Sequence, residues 1–188
     1  MQPRDLSANE EYRAGRGIEE VARDRGLDPE DLVKLASNEN PHGPSPKAME
    51  AIEAAAERAS SYPKSSHVDL TEALAERWNV TPEQVWLAAG GDGALDYLAR
   101  AFLDPGDPVL VPSPGFAYYP MSARYHHGTV REYTLRKGEE FALTSGAVLA
   151  AYDGERIVYL TTPHNPTGSW LERDGIEAIA SGVDGETL

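Results

Sequence analysis

The string Thr161 to Gly168, TTPHNPTG, constrains the fold more than any other segment, because it ends one strand and forbids the start of another. Ile157, Val158, Tyr159 and Leu160 come just before it, a short unbroken run of β-branched, aromatic and aliphatic residues that predicts a buried strand over residues 156–160. Pro163 and Pro166 then remove two backbone donors and fix φ at both positions, so the chain between them is held as a rigid turn. Asn165 sits inside that clamp. Its carboxamide offers an acceptor and two donors without charge, which suits it to hold a ring oxygen or a substrate polar group at the carboxyl end of a parallel strand. Asn and Pro are also ordinary turn formers, and the bare dipeptide is equally read that way. Gly168 lets the backbone turn toward the next helix.

Composition narrows the partners. With 188 residues, 40% of them hydrophobic, the chain can bury a core and forms one domain or most of one. Seventeen basic against 31 acidic residues give a net charge of −14, which argues against nucleic acid or an anionic membrane as partner. There is no cysteine, so disulfides and thiolate metal sites are excluded. The start, MQPRDLSANEEYRAG, has no apolar signal core and no run reaches membrane-spanning length, which places the expected location in the cytoplasm.

Along the chain, residues 1–45 read as an arm with one short helix, whose face is Ile18, Val21 and Ala22 between Gly17 and Gly26, followed by a short strand at Leu32 to Leu35. SNENPHGPSP forbids regular structure and is an ordered loop or a flexible linker. Ser45 and Pro46 start a helix reaching about Ala59, with Met49, Ile52, Ala55, Ala56 and Ala59 as its stripe. A second helix carries Val68, Leu70, Leu74 and Trp78. Val85 to Ala89 reads as a strand, and Gly90-Gly91-Asp92-Gly93 opens a helix with Ala94, Leu95, Leu98, Ala101 and Phe102 inward. Strand, glycines, helix is an order suited to an anion, since bare amides and the positive end of the helix dipole meet there; it equally describes a plain turn. Pro108 to Val111 is the next strand, ending in PSPGFAYYP. The pair His126-His127 follows on the helix, where neighbours point to different faces, so no metal site is expected. Thr129 to Leu135 alternates like an edge strand; helices over Ala147 to Tyr152 and about Glu172 to Ala180 complete the pattern. The implied fold is α/β with a mostly parallel sheet, three candidate sites lying after Ala89, Val111 and Leu160 at carboxyl ends of strands.

The Asn-Pro-Thr-Gly string resembles the signature of the fold-type-I pyridoxal-phosphate enzymes, the aspartate aminotransferase superfamily. Asn38 to Pro46 resembles the NENP-x-GPSP opening of the histidinol-phosphate aminotransferases within it. The resemblance implies a three-layer sheet of the aspartate aminotransferase type, with residues 1–45 as arm and entrance loop and 46–188 as the N-terminal part of the large cofactor domain. It implies pyridoxal 5'-phosphate as cofactor, with Asn165 on its phenolic oxygen, Phe116 stacked on its ring by the Pro-x-x-aromatic-x-x-Tyr pattern, and amides of the Gly90, Gly91 and Asp92 loop on its phosphate. Asp92 must turn its carboxylate away, as helix N-cap, because like charges repel at contact. Tyr118 and Tyr119 are expected to pack. Tyr62 of Tyr62-Pro63 would reach the partner's cofactor phosphate across a homodimer, although Ser61 stands where the family often has Arg. Asn38 and Asn40 would line the substrate entrance.

By the same resemblance the activity is transfer of an amino group between histidinol phosphate and 2-oxoglutarate in histidine biosynthesis. The family's Schiff-base lysine, its pyridinium-pairing Asp and its substrate arginines have no counterpart here. Lys34, Lys47, Lys64 and Lys137 are expected to be solvated surface residues, so no catalytic residue is assigned. The expectation is therefore an N-terminal portion of such an enzyme, catalytically silent by itself. Two alternatives are a related threonine-phosphate decarboxylase and a non-catalytic remnant that binds a partner through an open sheet edge. Four lysines among 17 basic residues in so acidic a chain also point to a high-salt cytoplasm. Circular dichroism across a salt series should then show structure lost in low salt; a spectrum indifferent to salt removes that expectation.

Overall fold

The segment Pro108 to Ser113 hydrogen-bonds to a parallel neighbour on each side, and the sheet is assembled around it. The computed structural model describes residues 7, 9, 15–35, 37–63 and 67–188, so the expectation for Lys64 lies outside the described residues. In chain order the elements are α1 (Ile18–Arg25), α2 (Pro46–Ala55), α3 (Val68–Trp78), α4 (Gly90–Phe102), β1 (Pro108–Ser113), α5 (Tyr118–Tyr125), β2 (Thr129–Thr134), α6 (Ser145–Ala151), β3 (Ile157–Val158) and α7 (Arg173–Gly182). They fall into two units, Arg13–Trp86 and one built from Leu87–Leu188.

In the second unit the strand order is β2-β1-β3, all parallel, with Pro108 beside Thr129 and Val109 beside both Val130 and Ile157. The connection through α5 moves one way along the sheet and the connection through α6 moves back across β1. Parallel crossovers are right-handed, so reversing direction puts the two helices on opposite faces. The side chains follow. Ala99 of α4 and Ala123 of α5 pack with Val109, Val111, Ile157 and Tyr159 on one face. Val148 of α6 and Ile179 of α7 pack with Leu110, Tyr133 and Leu171 on the other. A strand covered on both faces has no polar side to present, which is why β1 reads as an unbroken apolar run. This is the expected three-layer α/β arrangement.

A buried carboxylate ties the outer strands together. Glu155, fully buried at the entry to β3, accepts a hydrogen bond from Arg131 of β2 at 2.5 Å and another from the Asp153 amide at 2.8 Å. Thr187 adds a hydroxyl bond to the Glu155 carbonyl and meets the Tyr152 hydroxyl at 2.7 Å. The extended pair of Leu188 with β3, through Val158 N–H to Leu188 C=O and Leu188 N–H to Arg156 C=O, lies beside this network.

In the Arg13–Trp86 unit, α1 ends at Gly26, whose φ of +65° lets its amide reach back to the Ala22 carbonyl. Several expectations are corrected. Leu32 to Leu35 and Val85 to Ala89 form no strand: Leu32 and Val85 have extended dihedrals, but a strand needs a ladder partner, and none pairs with either segment among the described residues. α2 stops at Ala55 and continues as a 3-10 turn to Arg58, and its stripe from Met49 to Ala59 is exposed. Ser45 stands at its N-cap without a side-chain bond. In α4 the inward positions are Leu95 and Ala99, with Leu103 just beyond; Ala101 and Phe102 are exposed, because the helix turns a neighbouring face to the sheet. His126 caps α5 and His127, at φ +65°, lies past its end, so the pair does not share the helix. Lys47 and Lys137 are exposed as expected, but Lys34 is half-buried and ion-paired with Glu39 at 2.8 Å, because its aliphatic stem lies along the surface near Ile18 and Val21.

Removing the Glu155 carboxylate leaves Arg131 and the Asp153 amide without their acceptor. Since Arg131 is itself partly exposed, Glu155→Ala should lower unfolding stability by about 2 kcal/mol, read from denaturant midpoints; an unchanged midpoint would show the pair to be inconsequential.

Candidate functional site

The direction of α4 decides where its glycines lie. Only Leu103 to Asp107 separate it from β1, so it must run back along the sheet, and Arg156 at the amino end of β3 donates to the Phe102 carbonyl at 3.1 Å. Its 13 residues span about 20 Å at 1.5 Å each, which carries Gly90 to the carboxyl end of the strands. Ala89 is the N-cap and makes no side-chain bond, so Asp92, expected in that role, sits instead in the first helical turn, exposed. The helix begins at Gly90 itself, at φ +73°, a backbone that only glycine adopts without strain. A side-chain carbon added at Gly90 or Gly91 would meet nothing within 4 Å. The Gly90 amide is spent on the Ala88 carbonyl at 3.0 Å, but the Gly91 and Asp92 amides have no carbonyl one turn earlier to bond, so this corner presents two donors to open space and can receive an anion.

The loop leaving β1 supplies the aromatic group. Phe116 is half-buried, edge-on to Tyr119 with ring centres 5.4 Å apart, and tilted against Tyr118 at 6.4 Å. Tyr119 is more than packing: its ring stacks on Tyr159 of the strand that becomes the Asn-Pro loop, at 4.6 Å and 15°, and its hydroxyl meets Thr161 Oγ1 at 2.6 Å. Tyr118 hydrogen-bonds Asp96 of α4; burial first, then that bond and nearby acidic charge, push its phenol up to about 12, so it stays a donor. Ser122, fully buried, donates to Asp96 Oδ1 at 3.0 Å.

The third loop holds Asn165 half-buried between Pro163 and Pro166. Its shape is set by backbone bonds, Gly168 N–H to His164 C=O at 2.7 Å and His164 N–H to Ser169 C=O at 2.6 Å, and by His164, whose Nδ1 meets Thr167 Oγ1 at 2.8 Å. His164 is 2% exposed and its Nε2 has no protein partner. Burial holds its pKa below the usual histidine value.

Gly90, Gly91, Asp92, Phe116 and Asn165 therefore all lie on one unit, on loops or helix starts at the carboxyl ends of the strands. Asn38, Asn40 and Tyr62 belong to the other unit. Asn38 is exposed at φ +50°; Asn40 spends its carboxamide locally, donating to Gly43 C=O at 3.0 Å and accepting from His42 N–H at 3.1 Å; Tyr62 is fully exposed. Among the described residues no group of three or more His, Asp or Glu side chains is placed to hold a metal, and no helix is long and apolar enough to cross a membrane. The residues alone gave no role to Asp96, Thr161 or His164, and gave Tyr119 packing only. Thr161 and His164 stood in the opening string, but the partners of Asp96, Tyr119 and Thr161 lie 26 and 42 residues away.

Chemically, the second unit offers bare amides for an anion, an aromatic face and a neutral carboxamide, a set that fits a flat ring carrying a phosphate. Comparison with known proteins agrees. A profile of the family described as aminotransferase class I and II matches residues 30–186. The histidinol-phosphate aminotransferase of Haloarcula marismortui is 69% identical over 188 residues, covering 100% of this chain and 52% of that protein, and that of Halorubrum lacusprofundi is 64% identical with the same coverage. The crystal structure of histidinol-phosphate aminotransferase from Sinorhizobium meliloti in complex with pyridoxal-5'-phosphate superposes with a TM-score of 0.78 at 27% identity, over 94% of this chain and 47% of that one. Aspartate aminotransferase from Thermus thermophilus with maleate gives 0.80 at 29% identity, over 97% and 50%. The chain spans about half the length of the curated relatives it matches.

Because His164 is held neutral, the fold is favoured while it stays neutral. Its contribution is complete above the ordinary histidine pKa of about 6.5 and falls away as pH drops below that value toward the lowered folded pKa. Thermal unfolding between pH 7.5 and 5.5 should show this loss in the native chain and a shallower one in His164→Gln; parallel pH curves for the two would contradict it.

Proposed function

Since the chain belongs to the class I and II aminotransferases, we propose that it forms the phosphate-, ring- and carboxamide-binding part of a histidinol-phosphate:2-oxoglutarate aminotransferase that uses pyridoxal phosphate. The observation that supports this is that three segments, after β1, after β3 and at the start of α4, lie at the same end of a parallel sheet, each bearing a group suited to the cofactor. The first-turn amides of Gly91 and Asp92 bind the phosphate dianion, with Gly90 giving the backbone its left-handed entry and the α4 dipole adding to the attraction. Phe116 covers one face of the pyridine ring and excludes water from it. The Asn165 side-chain amide donates to the ring's phenolic oxygen, a bond made without adding charge to the site. Pyridoxal phosphate, when bound, supplies the electron sink for moving an amino group. None of the described lysines lies in the three loops, so the residue that binds the cofactor covalently is assigned to the rest of the whole enzyme.

The substrates follow the name that the compared relatives share, which does not favour the threonine-phosphate decarboxylase alternative. We also assign a homodimer to the whole enzyme. Fully exposed Tyr62 borders an apolar groove along α2 lined by Ile52, Ala55, Ala56 and Ala59, a surface suited to a second copy and to the reach of Tyr62 into its site.

One preparation of the 188-residue chain tests the proposal. It should bind pyridoxal phosphate reversibly, seen as induced circular dichroism in the cofactor band that Asn165→Ala weakens about tenfold in affinity, and should transfer no amino group from histidinol phosphate to 2-oxoglutarate. Light scattering should give a dimer mass for the full-length enzyme. Absence of cofactor binding overturns the site; robust transamination by this chain overturns the division of labour.

A further inference from the structure

The short helix α5 touches every element that the cofactor reading needs. At its first turn, Phe116 lies edge-on to Tyr119 at 5.4 Å; the Tyr119 hydroxyl reaches Thr161 Oγ1 at 2.6 Å; and Tyr118 and Ser122 both hydrogen-bond Asp96, one turn into α4 beyond its glycines. A side-chain hydrogen bond, Tyr119 to Thr161, runs between the segments that follow β1 and β3. Each is terminated by prolines, whose missing amides cannot hold one loop to the other through backbone bonds.

From these contacts we propose that Tyr119 is a positioning residue of the cofactor site, its hydroxyl fixing the Phe116 ring relative to the loop that carries Asn165. The proposal rests on the cofactor reading and adds to it the residue that sets its geometry. Two features make the hydroxyl, rather than the ring, the part that positions. Stacking on Tyr159 at 15° leaves a ring free to slide in its own plane, because offset stacks are soft to lateral displacement. A 2.6 Å hydrogen bond to a threonine hydroxyl in the loop after β3 is directional and stops that sliding. Phe116 makes an edge-to-face contact with the same ring, so displacement of Tyr119 is transmitted to the ring that would cover the pyridine. Asp96 completes the frame by holding the helix that carries Tyr119 against the helix that carries the amides.

Tyr119→Phe keeps the stack and removes only the hydroxyl; Thr161→Val removes the other end of the same bond. Pyridoxal 5'-phosphate is titrated into the native 188-residue chain, the two variants and their combination, reading affinity together with the sign and intensity of the induced dichroism, while thermal unfolding without cofactor reports on folding. Each single variant should bind about fivefold more weakly with a reduced dichroic band, and the double variant should be no worse than either single one. Thr161→Ser, which retains the hydroxyl, should restore the native band. If the variants bind with native affinity and an unaltered band, or if their effects simply add, Tyr119 is a packing residue and the proposal is overturned while the cofactor reading stands. If the native chain itself shows no induced band, the cofactor reading is overturned, and this proposal with it.

Discussion

β1 carries both ladders of the sheet and both of its cores, and the placement of everything else follows from that double duty. Val109 and Val111 face α4 and α5, Leu110 faces α6 and α7, and all three are essentially inaccessible to water. Burying each such side chain contributes roughly 1.5–3 kcal/mol, and because β1 pairs with β2 along all six of its residues and with β3 through Val109 and Leu110, loss of the strand would separate the two halves of the sheet. The strand has to end abruptly for the site to exist. Ser113 is its last laddered residue, Pro114 follows, and the chain departs toward Phe116 where a further strand residue would have covered the end of the sheet.

The two ends of the sheet are built from different chemistry. At the amino end, the carboxylate of Glu155, the guanidinium of Arg131 and the hydroxyls of Tyr152 and Thr187 satisfy one another, an arrangement that holds elements in place and leaves nothing over for a ligand. At the carboxyl end, donors and acceptors remain unspent: the Gly91 and Asp92 amides in the first turn of α4, the Asn165 carboxamide and the buried Nε2 of His164. Polar groups left unsatisfied on a rigid frame are where a ligand gains free energy, since the frame has already lost its conformational freedom.

The aromatic residues show how a tyrosine can serve in both senses. Tyr133 and Tyr159 are core residues whose phenols burial pushes up, Tyr159 to about 12, and the Tyr133 hydroxyl bonds the Tyr159 carbonyl. Tyr119 stacks on Tyr159 by its ring while its hydroxyl leaves the core for Thr161, which couples the packing of the sheet to the loops above it.

Much of this was legible in the amino-acid string, because local chemistry is written locally. The apolar run of β1 and the alternation of β2 follow from side-chain period, the stop after Leu160 follows from two prolines, and the glycine opening of α4 follows from its need for a positive φ. The Asn-Pro-Thr-Gly motif carried the family by itself. What required the tertiary structure was every fact that depends on a neighbour remote in sequence. Val85 to Ala89 has the composition of a strand, yet a strand is a pairing, and no ladder partner is present among the described residues. Whether Tyr119 packs or bonds depends on Thr161, 42 residues away, and whether a glutamate before β3 is buried depends on Arg131, 24 residues before it. Backbone preference and hydrophobic period act over a few residues and so can be read in order; hydrogen-bond and packing partners are chosen by the path of the chain through space, which is settled only when the sheet closes around β1.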